Sequence, residues 1–228
     1  SMQFIGSDLV QAAQRREIPH MLGTEPLIYG LDCARFGDDS SVLAKRCGRD
    51  ARSRKWKKWH HMDSMTIAAD VALEAQQDHP DAIMVDAGNI GAAIIDRLRQ
   101  LLPDIPIFEV WFGSTKVRQA YFNGVPTNVF NKRTEIWTSQ REWLATGCIP
   151  VDQQLEDDLT GPLYSFGGDE TSIMLERKKD MKKRGLASPD EGDALACTFA
   201  EPVGPRNVPS HMDPSNYGNG GDRYGELD

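Results

Sequence analysis

Four aspartates stand where chemistry on a charged substrate can be done: Asp32 in LIYGLDCARFGDD, Asp86 in DAIMVDAGNIGA, and Asp190 with Asp193 in SPDEGDALACTFA. Asp32 and Asp86 each end a short apolar run that reads as a buried strand. Asp190 and Asp193 stand three apart at the start of an apolar-periodic helix, on one shared face. A carboxylate carried into a core must be paired, hydrogen-bonded or metal-bound, because a free buried charge is expensive. Acids far apart in sequence, each where a core element meets solvent, suit a cluster of divalent cations. Hard cations such as Mg²⁺ take oxygen ligands, and two of them, about 4 Å apart, clamp the attacking and leaving oxygens of a phosphodiester. The pattern points to a metal-dependent nuclease, with Asp32 on the central strand bridging two ions.

Each acid also has a structural reading. Asp32 has Arg35 as a neighbouring ion-pair partner, and Asp38 and Asp39 after Gly37 either extend the acidic cluster or cap the turn. Gly88 and Gly91 free the backbone after Asp86, and a glycine-rich strand-to-helix turn can also cradle phosphate. Ser188 reads as an N-cap, with Pro189 at the first helical position and Glu191 closing a capping box. Glu191 is therefore expected to be structural. Asp190 can complement the helix dipole, which explains Asp193 less well because it lies beyond the first free amides. The expected order as metal ligands is Asp193, then Asp190, then Glu191.

These acids need elements to hold them. Apolar periodicity predicts a helix over 3–20, strands over 27–34, 41–46 and 56–62 as an antiparallel meander, and a helix over 66–77 with Ile67, Val71, Leu73 and Ala75 inward. A short apolar strand over 82–86 belongs in the sheet centre, parallel to the first. A helix over 89–102, a strand over 107–111 and a helix over 131–146 follow. A hairpin over 163–166 and 172–176 carries basic residues on loops, and a helix over 188–200 closes the domain. The order is α/β, a mixed sheet of antiparallel meander plus parallel strands flanked by helices. Residues 1–24 read as a lead-in helix and linker, 25–201 as the domain, and 202–228, rich in Gly, Pro, Asn and Ser, as a disordered tail.

At 228 residues, with 39% hydrophobic and 26% charged content, the chain suits one soluble domain plus tails. Neither a membrane-spanning stretch nor a signal peptide is apparent, and no GxxxxGK[ST] motif marks a P-loop. The four cysteines (Cys33, Cys47, Cys148, Cys197) form no CxxC pair and read as buried free thiols of a reducing compartment. A net charge of −8 and a pI near 5.2 argue against a dedicated nucleic-acid binder. Distribution outweighs the sum, because two basic runs, over 45–58 and 177–184, flank the acidic elements. Their candidate phosphate contacts are Arg54, Lys57, Lys58, Lys178, Lys179, Lys182, Lys183 and Arg184, the alternative being solvated hairpin tips.

Taken together and in order, GLDCARFGDDSSVL, VDAGNIGAAIIDRL, ERKKDMKKRG and SPDEGDALACTFA resemble the nuclease domain of large terminase subunits of tailed bacteriophages, over nearly all of residues 3–200. The resemblance implies a ribonuclease H-like fold and Mg²⁺- or Mn²⁺-dependent cutting of concatemeric viral DNA during genome packaging, with Asp32, Asp86 and the 190/193 pair as ligands. It further implies double-stranded DNA as substrate, an upstream ATPase domain, portal and small terminase subunit as partners, no membrane, and the host cytoplasm as the place of action. Many relatives carry adjacent acids where this chain has Asp190-Glu191, which leaves the choice among 190, 191 and 193 open. Other readings are a junction resolvase or integrase of the same fold, a non-catalytic docking module of a packaging motor, and an actin-like or sugar-kinase-like ATPase, whose phosphate hairpin the first motif also resembles.

Overall fold

The computed structural model describes residues 2–34, 40–167 and 171–206. The Gly37-Asp38-Asp39 turn, the Asp32–Arg35 pairing and the tail beyond residue 206 lie outside the described residues. In chain order, β1 (Met2–Gln3) and α1 (Ser7–Arg15) lead to β2 (Leu27–Asp32), β3 (Ser41–Cys47) and β4 (Lys57–Trp59). Then α2 (Ser64–Asp78), β5 (Ala82–Asp86), α3 (Gly91–Leu101) and β6 (Ile107–Val110) alternate. A hairpin of β7 (Ala120–Phe122) and β8 (Val125–Thr127) precedes α4 (Lys132–Leu144) and α5 (Gln153–Thr160). The order closes with β9 (Leu163–Phe166), β10 (Ile173–Leu175), α6 (Lys178–Lys183) and α7 (Asp190–Cys197).

The main sheet runs β4-β3-β2-β5-β6. β4, β3 and β2 pair antiparallel, while β2, β5 and β6 pair parallel, so the expected meander-plus-parallel arrangement is present. Strand alternation divides the interior into two cores. Leu27, Tyr29 and Leu31 pack with Ile67 and Val71 of α2 and Ile94 of α3. On the other face Ile28 joins Trp137 of α4, Leu155 of α5 and Leu195 of α7. By that alternation Asp32 shares the face of Ile28, and Asp86 the face of Ala82 and Met84, which belong to this same second core. The register pairs Leu31 with Val85, so both aspartates emerge side by side at the carboxyl ends of parallel strands, under α7.

Two glycines make the approach of the neighbouring elements possible. A Cβ on Gly30 would stand 2.1 Å from the Ala194 carbonyl oxygen, so only glycine lets α7 cross β2 this closely. A Cβ on Gly91 would meet the Asp86 carbonyl oxygen at 1.7 Å, so the same logic governs the turn from β5 into α3.

Several expectations are corrected. The first helix is shorter than 3–20, because β1 pairs with β9 and Phe4 and Ile5 are fully packed in the core. Leu73 faces solvent at 57% exposure, leaving Ile67, Val71 and Ala75 as the inward stripe of α2. The second basic run is not a loop: residues 178–183 form α6, anchored by buried Met181. Asp152 caps α5 by accepting from Leu155 N at 3.1 Å. Residues 202–206 carry no regular structure, yet Arg206 is tied to Asp81 at 2.6 Å. No helix among the described residues is long and apolar enough to cross a membrane.

Candidate metal centre

The expected carboxylates converge. Lys178, the first residue of α6, places its Nζ 3.2 Å from Asp32 Oδ2, 3.0 Å from Asp193 Oδ2 and 3.8 Å from Asp190 Oδ1. Asp86 lies within hydrogen-bonding reach of Asp32 and accepts from Gly88 N at 3.0 Å. Asp190 Oδ2 accepts from the buried Ser40 amide at 2.8 Å, which fixes its other oxygen toward Lys178.

Asp193 is the most constrained of the four. It is completely buried, and its Oδ1 accepts from Arg133 Nε at 2.9 Å and Trp137 Nε1 at 2.7 Å. Its Oδ2 faces Lys178 and takes a longer contact of 3.3 Å from Arg133 Nη2. Arg133 also donates to the Glu176 carbonyl at 2.8 Å, so one guanidinium positions both Asp193 and the segment that presents Lys178. Neither Arg133 nor Trp137 was expected in the site. Their presence on the inward stripe of a predicted helix was the available signal, since a buried arginine demands a carboxylate partner.

Among the described residues, these four carboxylates outnumber the two cations that face them, Lys178 and Arg133. Burial, with Asp193, Asp86 and Asp190 adding to it and Lys178 opposing, pushes Asp32 well above the usual carboxylate range. Burial raises Asp86 too, against the Gly88 amide and Lys178. Burial also works against Asp193, but Arg133 and Lys178 hold that carboxyl below its usual range. Lys178 would lose its proton to burial, yet Asp193 and Asp32 keep it above the usual lysine range.

Among the described residues, no three His, Cys, Asp or Glu side chains stand ready around an ion position. An ammonium sits among them instead. The donor set nonetheless fits a hard divalent cation: all oxygen and strongly acidic.

The start of α7 differs from the expected capping box. Among the described residues the buried Ser188 Oγ has no hydrogen-bond partner, and Glu191 pairs with Lys58 rather than with its own helix end. The cap comes from α5: Asp158 Oδ2 accepts from Glu191 N at 2.7 Å and weakly from Gly192 N at 3.4 Å. Burial pushes Asp158 up to about 7, against the Gln154 and backbone hydrogen bonds that favour its charge.

A pH dependence follows. Asp32, Asp86 and Asp158 are all raised in the folded chain, so each favours folding below its unfolded value near 3.8 and loses that contribution as pH rises through its folded value. The metal-free protein should therefore lose stability between pH 5.5 and 8, and saturating Mg²⁺ should reduce the loss. Urea unfolding at the two pH values, with and without Mg²⁺, checks this; stability rising to pH 8 without metal contradicts it.

Three of the cysteines are buried as expected, while Cys47 is half-buried. All four are unpaired, and Cys33, beside Asp32, lies in the core with Val85 and Ile94. Burial and the neighbouring carboxylates push its thiol well up, so it stays protonated and acts as a small apolar group.

The basic residues are spread around the centre. Lys178 lies inside the acidic cluster, and Lys182 lines a cleft beside Asp190. Lys179 is exposed on α6, while Lys183 pairs with Asp180 at 2.8 Å and Arg184 with Glu176 at 2.6 Å. Arg54, Lys57 and Lys58 line a second depression that meets the cleft at Lys58; Lys57 also reaches Glu74 at 3.2 Å.

No family model matches the chain, and no curated protein matches it significantly. Solved structures do. The nuclease domain of the large terminase subunit gp2 of bacterial virus Sf6 superposes with a TM-score of 0.74 at 17% identity, over 89% of this chain and 100% of that one. A lysine-to-alanine mutant of that domain with manganese matches at 0.72 and 15% identity, covering 88% and 100%. The large terminase nuclease from thermophilic phage G20c with bound magnesium matches at 0.57 and 14%, covering 88% and 98%. The chain has the fold of a large-terminase nuclease domain.

Proposed function

We propose that this chain is a metal-dependent endonuclease domain that cuts double-stranded DNA, and that it acts as the nuclease part of a phage large terminase on concatemeric viral DNA. The observation that carries the reading is the convergence of Asp32, Asp190 and Asp193 on Lys178 at the carboxyl ends of β2 and β5, with Asp86 beside Asp32. Support comes from solved domains of this fold that hold manganese or magnesium.

Asp32, Asp86, Asp190 Oδ1 and Asp193 Oδ2 are the oxygens that would hold Mg²⁺ or Mn²⁺ at a two-metal site. When bound, the metal supplies an activated water and charge to stabilise the leaving 3′-oxygen. The surrounding residues set the stage. Gly88 N orients Asp86, Ser40 N orients Asp190, and Arg133 with Trp137 fixes Asp193. Lys178 compensates the cluster in the metal-free protein and must yield the Asp32 and Asp193 oxygens to an incoming divalent ion.

DNA would be held by its phosphates, through Lys58 and Lys182 at the cleft and Arg54, Lys57, Lys178, Lys179, Lys183 and Arg184 around it. Lys58→Ala and Lys182→Ala should each lower the slope of log affinity against log salt by roughly 0.9. The change should be smaller for Lys183 and Arg184, which do not line the cleft. Equal effects at all four positions would place the DNA elsewhere. An upstream ATPase domain, portal and small subunit as partners, and the host cytoplasm as location, belong to the same proposal.

Incubation with supercoiled plasmid tests the reading. Nicking and linearisation should appear in Mg²⁺ or Mn²⁺ and stop with EDTA. Intact plasmid with either metal, or cutting that survives chelation, would overturn it.

A further inference from the structure

His60 is exposed and takes no part in the carboxylate cluster, yet the fold holds it one residue away from that cluster. β3 and β4 pair Ser41 with Trp59, so the flanking residues Ser40 and His60 are brought together just past the end of the ladder. Ser40 is buried at 8% exposure and is bonded in two directions. Its amide donates to Asp190 Oδ2 at 2.8 Å, and its hydroxyl lies 2.9 Å from His60 Nδ1. An exposed imidazole normally turns freely; this one is pinned through one ring nitrogen to the residue that orients a candidate ligand.

Pinning Nδ1 leaves Nε2 as the ring's remaining polar atom. His60 lines a cleft of about 710 Å³ together with Asp190, Lys58 and Lys182. The cleft has room for more than a single phosphate and continues past Lys58 into the depression that carries Arg54 and Lys57. If the Ser40 hydroxyl donates to Nδ1, the neutral ring carries its proton on Nε2, a donor available to the cleft.

We propose that His60 is a substrate-binding residue: its Nε2–H donates to a nonbridging oxygen of the DNA phosphate adjacent to the scissile one, seated in this cleft. The proposal rests on the nuclease reading above. It adds a contact that no acidic or basic motif in the sequence marks, and it gives Ser40 two duties, holding Asp190 by its amide and the imidazole by its hydroxyl.

The two amide replacements of histidine separate contact from scaffolding. Glutamine reaches as far as Nε2 and can keep the phosphate contact. Asparagine matches Nδ1 and can keep only the Ser40 bond. His60→Ala, His60→Gln and His60→Asn should be compared in two assays: anisotropy of a short labelled duplex without divalent metal, and steady-state cleavage in Mg²⁺. His60→Ala and His60→Asn should weaken duplex affinity roughly fivefold and raise KM by a similar factor, with a much smaller change in kcat. His60→Gln should recover most of the loss in both assays.

Unchanged affinity and KM in His60→Ala would overturn the proposal. Rescue by asparagine but not glutamine, or a fall in kcat alone, would also overturn it, by showing that the ring merely props Ser40. If the wild type cuts and His60→Ala matches it, only this inference fails. If the wild type does not cut in Mg²⁺ or Mn²⁺, the nuclease reading fails, and the anisotropy arm still reports on His60.

Discussion

Asp32→Asn should leave the protein folded, at least as stable as wild type at pH 8 without metal, and about a thousandfold slower in cleavage. The stability side follows from burial. Asp32 is 2% exposed and its carboxyl is pushed well above the usual range, so the charged form is costly where it stands. A neutral amide of the same shape removes that cost. Lys178 keeps Asp193 at 3.0 Å and Asp190 at 3.8 Å, so it is not stranded. The activity side follows because Asp32 is the acid at the end of the central strand, within reach of both Asp86 and Lys178. Plasmid nicking and urea unfolding read the two halves separately. Nicking at the wild-type rate would remove Asp32 from the chemistry.

Asp193 should respond differently, and the difference separates ligand from scaffold. Asp193→Ala leaves the Arg133 guanidinium, 9% exposed, and the Trp137 indole N–H without their acceptor. Breaking one partner of a buried ion pair costs about 3–5 kcal/mol, so this variant should be strongly destabilised as well as inactive. Loss of activity in the alanine variant therefore says little about metal. Asp193→Asn keeps an acceptor for both donors and should recover much of the stability while remaining inactive, because the charge at Oδ2 is gone. Guanidinium unfolding of both variants beside their cleavage rates checks this. An asparagine variant that folds well and cuts well would reduce Asp193 to a structural anchor.

The parts of the site that were legible in the sequence are those that local sequence controls. Asp32 and Asp86 end apolar strands, and Gly91 follows where the turn into α3 leaves no room for a Cβ; each is visible within a dozen residues. The mixed sheet was legible for the same reason, since strand length and the intervening helix fix which neighbours run parallel. Asp190 and Asp193 stood at a helix start as expected, but the cap assignment failed. The acceptor is Asp158, more than thirty residues away, and no local pattern names it. Arg133 joins the carboxylates through tertiary placement, and Lys178, expected as a phosphate contact, sits among them instead.

Two misses had readable causes. Residues 178–183 bury only Met181, so α6 offers no apolar period to detect. The β7–β8 hairpin, in contrast, carries Asn123-Gly124 at its tip, both at positive φ, which is a strong short-range hairpin signal that went unread. The expected second basic loop and the unexpected helix also differ in consequence. A helix fixes Lys178 toward the carboxylates and lets Lys182 line the cleft, whereas a loop would not.

The proposed chemistry requires the carboxylate cluster to hold a divalent cation in place of an ammonium. Crystals of the protein soaked in Mn²⁺, with the anomalous signal of manganese located, test it most directly. A manganese peak is expected within coordinating distance of Asp32, Asp86 and Asp193 Oδ2, with the Lys178 ammonium moved away from Asp32. A map with Lys178 still seated between Asp32 and Asp193, and no manganese there at a concentration that supports cleavage, would contradict it.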